Sequence, residues 1–348
     1  MKNYLLFLLI PFVFAANSCA QDDPFLDEIE NPSILRSSEI VVGDSHLAFT
    51  SITGNADRSR IVLTYRSGSE HASFDGRILQ ITSNNRGRSW SSPIEIYSAD
   101  GKDARDPQLF AVSDSELLCR FFERESEAVS HVKVLRSKNF GRTYEGTSTL
   151  PFPTESETFA AARGNMVMVD GVIYTICYNR WAQAWLVASD DHGRTWRNVS
   201  WVDEALGTQQ SPYPRFNEAS LGYADGMLYC VARTNVEDGN MLIGESPDLG
   251  ATWTWKYLPI RGHAPSLTPH DGGFILTYRL VNPATETYNF QLAFIKNGDL
   301  SGEPVSLFTS LSFDIGYGDV LTMERSFLVC CYQPNRIKCY EIGYDIFN

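Results

Sequence analysis

The chain is 348 residues long, and an apolar share of 43% with 12% aromatic residues is ample for a sizeable core. A net charge of −13 argues against nucleic acid or an anionic membrane face as partner. The length would accommodate two domains, although β-rich folds often run this long as one.

The chain starts with Met1-Lys2-Asn3, then thirteen apolar residues from Tyr4 to Ala16, then Asn17-Ser18-Cys19-Ala20. A short charged start, a brief apolar stretch and small residues before a cut describe a signal peptide. Thirteen residues are too few for a bilayer span, which needs about 20. Cleavage before Cys19 gives a lipid-anchored lipoprotein of a bacterial outer membrane or cell surface; cleavage after Ala20 gives a free periplasmic or secreted protein. Residues 1–19 are therefore expected to be a signal peptide ending in a lipobox. Residues 20–39, rich in acids, Pro and Ser, read as a tether, and residues 40–348 as the folded domain. Six cysteines besides Cys19 follow, with no spacing that suggests zinc. They read as small core hydrophobes, and export allows a disulfide whose partners the sequence leaves open.

Internal repeats organise the rest. Four octapeptides share one pattern: Ser83 to Trp90, Ser137 to Tyr144, Ser189 to Trp196 and Ser246 to Trp253, with starts 54, 52 and 57 residues apart. Each has Ser, then Asn or Asp two later, Gly four later and an aromatic seven later. Asn85, Asn139, Asp191 and Asp248 can bond backbone N–H groups, while the glycines allow positive φ. These are turns on the outer part of each unit and carry no chemistry. A second repeat interleaves: apolar strand, turn, apolar strand at 48–65, 107–121, 165–178, 219–233, 265–278 and 318–332. No long helical period appears. Six units of about 50 residues, with room for four short strands each, predict an all-β, six-bladed β-propeller.

Loops leading into the innermost strands of a propeller converge on its axis. Reading those positions gives Asp44 and His46; Arg66, His71 and Asp75; Arg105 and Asp106; Arg163; Glu218 with Arg233; His263 with Arg279; and Asp314 with Tyr317. The stretch Asn217 to Arg233 stands out, because an Asp225-Gly226 turn should return Arg233 beside Glu218.

The octapeptides are Asp boxes, and on a six-bladed propeller they resemble the sialidase (neuraminidase) superfamily of BNR-repeat proteins, including glycoside hydrolase family 33. The resemblance covers about residues 40 to 345. It implies that Tyr317, in Gly316-Tyr317, is a nucleophile and that Glu218 is its base. Arg233 and Arg279 would grip a substrate carboxylate, Asp75 would be the acid/base group, and Asp106 with Arg105 would line the pocket. The family's first motif, Arg-Ile-Pro, is altered: Ser45-His46-Leu47-Ala48-Phe49 puts histidine at the arginine's place. Arg66 is a candidate substitute, and His46 and His71 become candidate acid/base or ligand groups.

The resemblance implies an exported exo-glycosidase that removes a terminal acidic sugar, sialic acid or a related one, with no cofactor and no metal. A tyrosine nucleophile suits such a sugar, since a neutral phenol approaches a carboxylated centre that would repel a carboxylate. Two alternatives stay open. One is a non-catalytic glycan-binding propeller; the other is a glycosidase of different sugar specificity that uses His46 and His71.

Overall fold

A computed structural model describes residues 27–347 apart from Ala205, Asn235, Glu237 and Asp238. The expected signal peptide, the lipobox and the first part of the tether lie outside those residues. The chain forms six antiparallel sheets arranged as the blades of a propeller. Blade I runs from its innermost strand His46–Gly54 through Ile61–Gly68 and Arg77–Ser83 to Ile94–Tyr97. Blade II starts at Asp103–Ala111, blade III at Val167–Val169, blade IV at Phe216–Ala224, blade V at His263–His270 and blade VI at Gly316–Thr322.

The tether expectation is corrected for residues 27–39. Asp27–Glu28 pairs with Val305–Ser310 at the edge of blade V, and Ile34–Val42 is the outermost strand of blade VI, paired with Arg336–Gly343. The final blade has only three strands from the C-terminal end of the chain. An N-terminal strand supplies the fourth and ties the ring shut. Arg36 to Glu341 at 3.2 Å, Arg336 to Glu39 at 2.5 Å and Lys338 to Glu28 at 2.7 Å clasp that join.

The four Asp boxes sit between the third and outermost strands of blades I to IV. In each, the serine Oγ accepts from the glycine N–H at 2.7–2.9 Å. The Asn or Asp Oδ1 accepts from the N–H four residues on at 2.8–2.9 Å. Gly250, at φ 93°, lies so close to blade III that a Cβ would come within 2.3 Å of Leu186. The closing aromatics Trp90, Tyr144, Trp196 and Trp253 pack into the apolar layers between neighbouring blades.

One irregularity recurs at the axis. The pairing of innermost and second strands slips after Ala48, Arg105, Phe216, His263 and Gly316 in blades I, II, IV, V and VI. Four residues in these bulges have positive φ: Phe49, Asp106, Ala264 and Tyr317. Bulges of this kind re-aim side chains, and here they turn them toward the axis. Beneath them a polar plug fills the axis: Asp319 accepts from Ser51 at 2.9 Å, Gln108 at 2.9 Å and Ser266 at 3.0 Å.

Cys330 and Cys339 stand opposite each other in blade VI and form a disulfide. The other four described cysteines, Cys119, Cys177, Cys230 and Cys331, are free and buried, as small core residues.

Candidate active site

In blade IV, the Asp225-Gly226 turn has positive φ at both residues, 51° and 79°, and returns the second strand against the first. The bulge at 217–218 turns Glu218 inward, where its side chain is buried. Its Oε2 accepts from Arg233 Nη1 at 3.1 Å and from the Ala264 N–H at 2.9 Å, and its Oε1 accepts from the Tyr317 hydroxyl at 2.7 Å. Burial alone would push this carboxyl up, but the Arg233 guanidinium foremost, with the tyrosine hydrogen bond, holds it down to about 2. Burial and then the Glu218 charge push the Tyr317 phenol upward.

Two guanidiniums flank the Tyr317 ring, with Arg279 Cζ 5.1 Å and Arg163 Cζ 5.4 Å from its centre. Arg279 donates to Phe313 O and to His263 Nδ1, the latter at 3.0 Å. Burial, then Arg233, lowers His263 to about 3, so its ring is neutral and free to accept. Arg163 Nε and Nη2 and Arg279 Nε have no hydrogen-bond partner among the described residues. Glu218, Arg233, Arg279 and Tyr317 thus meet at one mouth of the axis. A cavity of about 550 Å³ opens there, lined by Arg233, Arg279, Tyr317, His71, His263 and Phe313 among others. A second cavity of about 510 Å³ lies at the other mouth, where Asp319 and apolar residues such as Met166 and Leu321 line it. Among the described residues that line it, none forms a nucleophile–base pair like Tyr317 with Glu218.

The remaining expected site residues fall differently. Asp75 does not join the cavity lining; it caps its own loop, accepting from Ser69 N at 3.1 Å and Ser73 Oγ at 2.5 Å. Those bonds, the one from Ser73 foremost, lower its pKa, which is opposite to what a proton donor needs. Arg66, the candidate substitute, does not line the cavity either. It is fully buried, donating to Asp103 Oδ1 at 2.7 Å, Glu70 O at 2.8 Å and Ser73 Oγ at 3.0 Å. Nor does His46 occupy the position that faces the axis in blade I. The bulge gives that position to Phe49, whose ring lies 5.1 Å from Tyr317, while His46 reaches sideways to Asp314 at 2.5 Å.

Asp106 is buried beneath the cavity, with Oδ1 unpartnered among the described residues. Burial raises it to about 6, against the pull of Arg105 and Arg163. Arg105 does not line the cavity; it donates to His71 O at 2.7 Å and Asp103 Oδ2 at 3.1 Å.

Together these groups close a ring of six side chains. Asp103 accepts from both Arg66 and Arg105; Arg66 meets His46 Nδ1 at 3.3 Å. Arg105 meets His71 Nε2 at 3.5 Å, and both histidines bond Asp314, His71 through Nδ1 at 2.9 Å. His46, His71 and Asp314 lie close enough to hold a metal ion. The surroundings suit one poorly. A ligating imidazole normally donates its other N–H to an acceptor, whereas each of these has a guanidinium donor there.

Residues 59–268 match the model of the BNR repeat-like domain family. A search of the curated proteins gives no match. Among solved structures, the chain is similar to a protein of unknown function from Dyadobacter fermentans, with a TM-score of 0.73 and 20% identity over 92% of this chain and 99% of that one. The NanB sialidase of Streptococcus pneumoniae superposes with a TM-score of 0.67 at 11% identity, over 90% of this chain and 71% of that one. The Trypanosoma rangeli sialidase, solved with sialic acid, gives 0.62 at 12% identity, over 93% of this chain and 57% of that one. The matched segment exceeds half of the chain, and the six blades agree with it: the protein belongs to the BNR repeat-like family and has a sialidase-like six-bladed propeller.

Proposed function

We propose that the protein is a retaining exo-glycosidase that removes a terminal acidic sugar, of the sialic acid or uronate class, from a glycan. The observation that carries this reading is the 2.7 Å contact from the Tyr317 hydroxyl to Glu218, at a cavity that Arg233 and Arg279 also line. A phenol of ordinary pKa about 10 needs a base, and Glu218 is ionised and aimed at it. Arg233 and Arg279 would hold the sugar's carboxylate by charge-assisted hydrogen bonds. Tyr317 oxygen attacks the anomeric carbon, passing its proton to Glu218, while the bond to the leaving oxygen breaks. Water then releases the sugar with the same configuration. Export, and attachment through Cys19 where cleavage precedes it, completes the reading on the strength of residues 1–20 alone.

The second reading is a glycan-binding propeller without turnover, and the turned-away Asp75 favours it. A screen of chromogenic glycosides, including a sialoside and several uronides, against wild type and Tyr317→Phe separates the two. Release by wild type and not by the variant supports the enzyme. Binding of an acidic glycan with no release by either supports the binding protein.

A further inference from the structure

Building on the glycosidase reading, we propose that His71, oriented by Asp314, is the group that protonates the leaving oxygen and afterwards deprotonates water. The loop between the second and third strands of blade I, residues 69–76, carries both His71 and Asp75, and it turns them in opposite senses. Asp75 folds back onto Ser69 and Ser73, while His71 lines the same cavity as Tyr317, Arg233 and Arg279. Phe49 touches both rings edge-on, at 5.5 Å from His71 and 5.1 Å from Tyr317, which places them around one space.

The imidazole is held as an acid/base group needs to be. Its Nδ1–H donates to Asp314 Oδ1 at 2.9 Å, which leaves Nε2 as the reactive nitrogen. Asp314 is kept ionised: burial would raise it, but hydrogen bonds from His46 and His71 hold it well below the carboxylate range. The Tyr332 hydroxyl, at 2.8 Å from Oδ1, adds a third donor. Arg105 pins the loop through its 2.7 Å bond to His71 O, and the rings of Phe49 and Phe313 pack against the imidazole. The charged groups facing His71 are Asp314 and Arg105, with the His46 ring 5.4 Å away. The arriving glycosidic oxygen takes Arg105's place as the partner of Nε2.

The proton count closes over one cycle. In the first step His71, carrying protons on both ring nitrogens as the substrate binds, passes its Nε2–H proton to the glycosidic oxygen as that oxygen takes the electron pair of its bond to the anomeric carbon. Tyr317 oxygen forms the new bond and its proton moves to Glu218. In the second step His71 Nε2 takes a proton from water, and the water oxygen bonds the anomeric carbon. The bond to Tyr317 breaks, and the phenol recovers its proton from Glu218. His46 and Asp314 act through His71 and are positioning residues.

The test is a series of aryl and alkyl glycosides of whichever acidic sugar the wild type releases, differing in leaving-group pKa. His71→Ala, His71→Gln, Asp314→Asn and Asp75→Asn are compared, with Tyr317→Phe as reference. His71→Gln keeps a donor toward Asp314, so the loop retains its tie. We expect both His71 variants to lose about 10²–10⁴-fold in kcat/KM on poor leaving groups. On the most activated aryl glycoside they should stay close to wild type. Asp314→Asn should follow the same pattern to a lesser degree, and Asp75→Asn should match wild type throughout. A leaving-group-dependent loss in Asp75→Asn, with none in the His71 variants, overturns the proposal and leaves the glycosidase reading standing. A wild type that releases no acidic glycoside overturns both.

Discussion

Glu218→Gln tests the electrostatics on which the site depends. The side chain keeps its shape, but the negative charge between Arg233, the Ala264 N–H and the Tyr317 hydroxyl disappears. In the folded protein Glu218 sits at about 2 instead of 4.5. At 1.36 kcal/mol per unit, that difference is worth roughly 3 kcal/mol of stability at neutral pH. The group is buried, so little solvent screening reduces it. The sign is that of a depressed carboxylate: the contribution is complete above the unfolded value of 4.5 and is lost as pH falls toward 2. Urea unfolding of both proteins at pH 7 should therefore give a gap of roughly 3 kcal/mol, and at pH 3 roughly half of it or less. Carboxylates away from Glu218 titrate equally in both proteins and drop out of the comparison, the exception being Asp106, which the Glu218 charge helps to raise. A gap below about 1 kcal/mol at pH 7, or one that does not narrow on acidification, would refute the reasoning.

Tyr317→Phe should abolish turnover while the binding of an acidic sugar persists, at a stability cost of about 1–3 kcal/mol for the buried Glu218 oxygen left without its donor; more than a few per cent residual activity would exclude Tyr317 as nucleophile. Gly250→Ala should cost about 1–3 kcal/mol more than Gly226→Ala. Both have positive φ, but a Cβ on Gly250 meets Leu186 at 2.3 Å, whereas nothing lies within 4 Å of one on Gly226. Equal shifts in melting temperature would mean the Asp-box glycine is not a close-approach site. Reducing the Cys330–Cys339 disulfide should cost roughly 2–3 kcal/mol, the loop-closure value for so short a loop. An unchanged denaturation midpoint in reductant would show that it contributes nothing.

The blades are legible in the sequence because their signals are local and repeated. An Asp box needs only eight consecutive residues; four of them at near-constant spacing set the repeat length, and six strand-turn-strand runs count the units. Glu218 and Arg233 are legible for a similar reason, since the Asp225-Gly226 turn fixes which ends meet. What the sequence hides depends on bulges and long-range closure. A bulge shifts alternation by one, so the residue that reaches the axis in blade I is Phe49 and not His46. No periodicity marks which residue of loop 69–76 faces the cavity, and nothing local separates Asp75 from His71 there. Arg66 ends an apolar strand as a surface cation would, yet Asp103, in the next blade, holds it buried. The blade VI role of Ile34–Val42 needs a partner some 300 residues away. The disulfide, by contrast, lies within reach of sequence reasoning. The tight turn at Pro334-Asn335 sets Gln333 opposite Arg336, and counting back along that hairpin places Cys330 opposite Cys339.

On the proposed chemistry, these side chains by themselves are poorly set for reaction, and the reason points to the role of the substrate's charge. Glu218 at about 2 is a weak base, and the Tyr317 phenol beside it is a weaker acid than usual. Transfer of the proton between them is steeply uphill while Arg233 is bonded to Glu218 Oε2. Arg233 shows that carboxylate a single N–H group, and its side chain is 28% exposed at the cavity. A substrate carboxylate bound by Arg233 and Arg279 would share their charge and relax the force that holds Glu218 down. The base would then strengthen as the sugar settles, so the carboxylate would be a trigger as well as a handle. An acidic glycoside and its uncharged methyl ester, with the same leaving group, should therefore differ in kcat and not only in KM. Each unit by which Glu218 fails to rise leaves about 1.4 kcal/mol on the barrier at most, a tenfold loss in kcat. If the ester binds weakly but turns over at the same kcat, Arg233 serves to hold the substrate and has no part in activating Glu218.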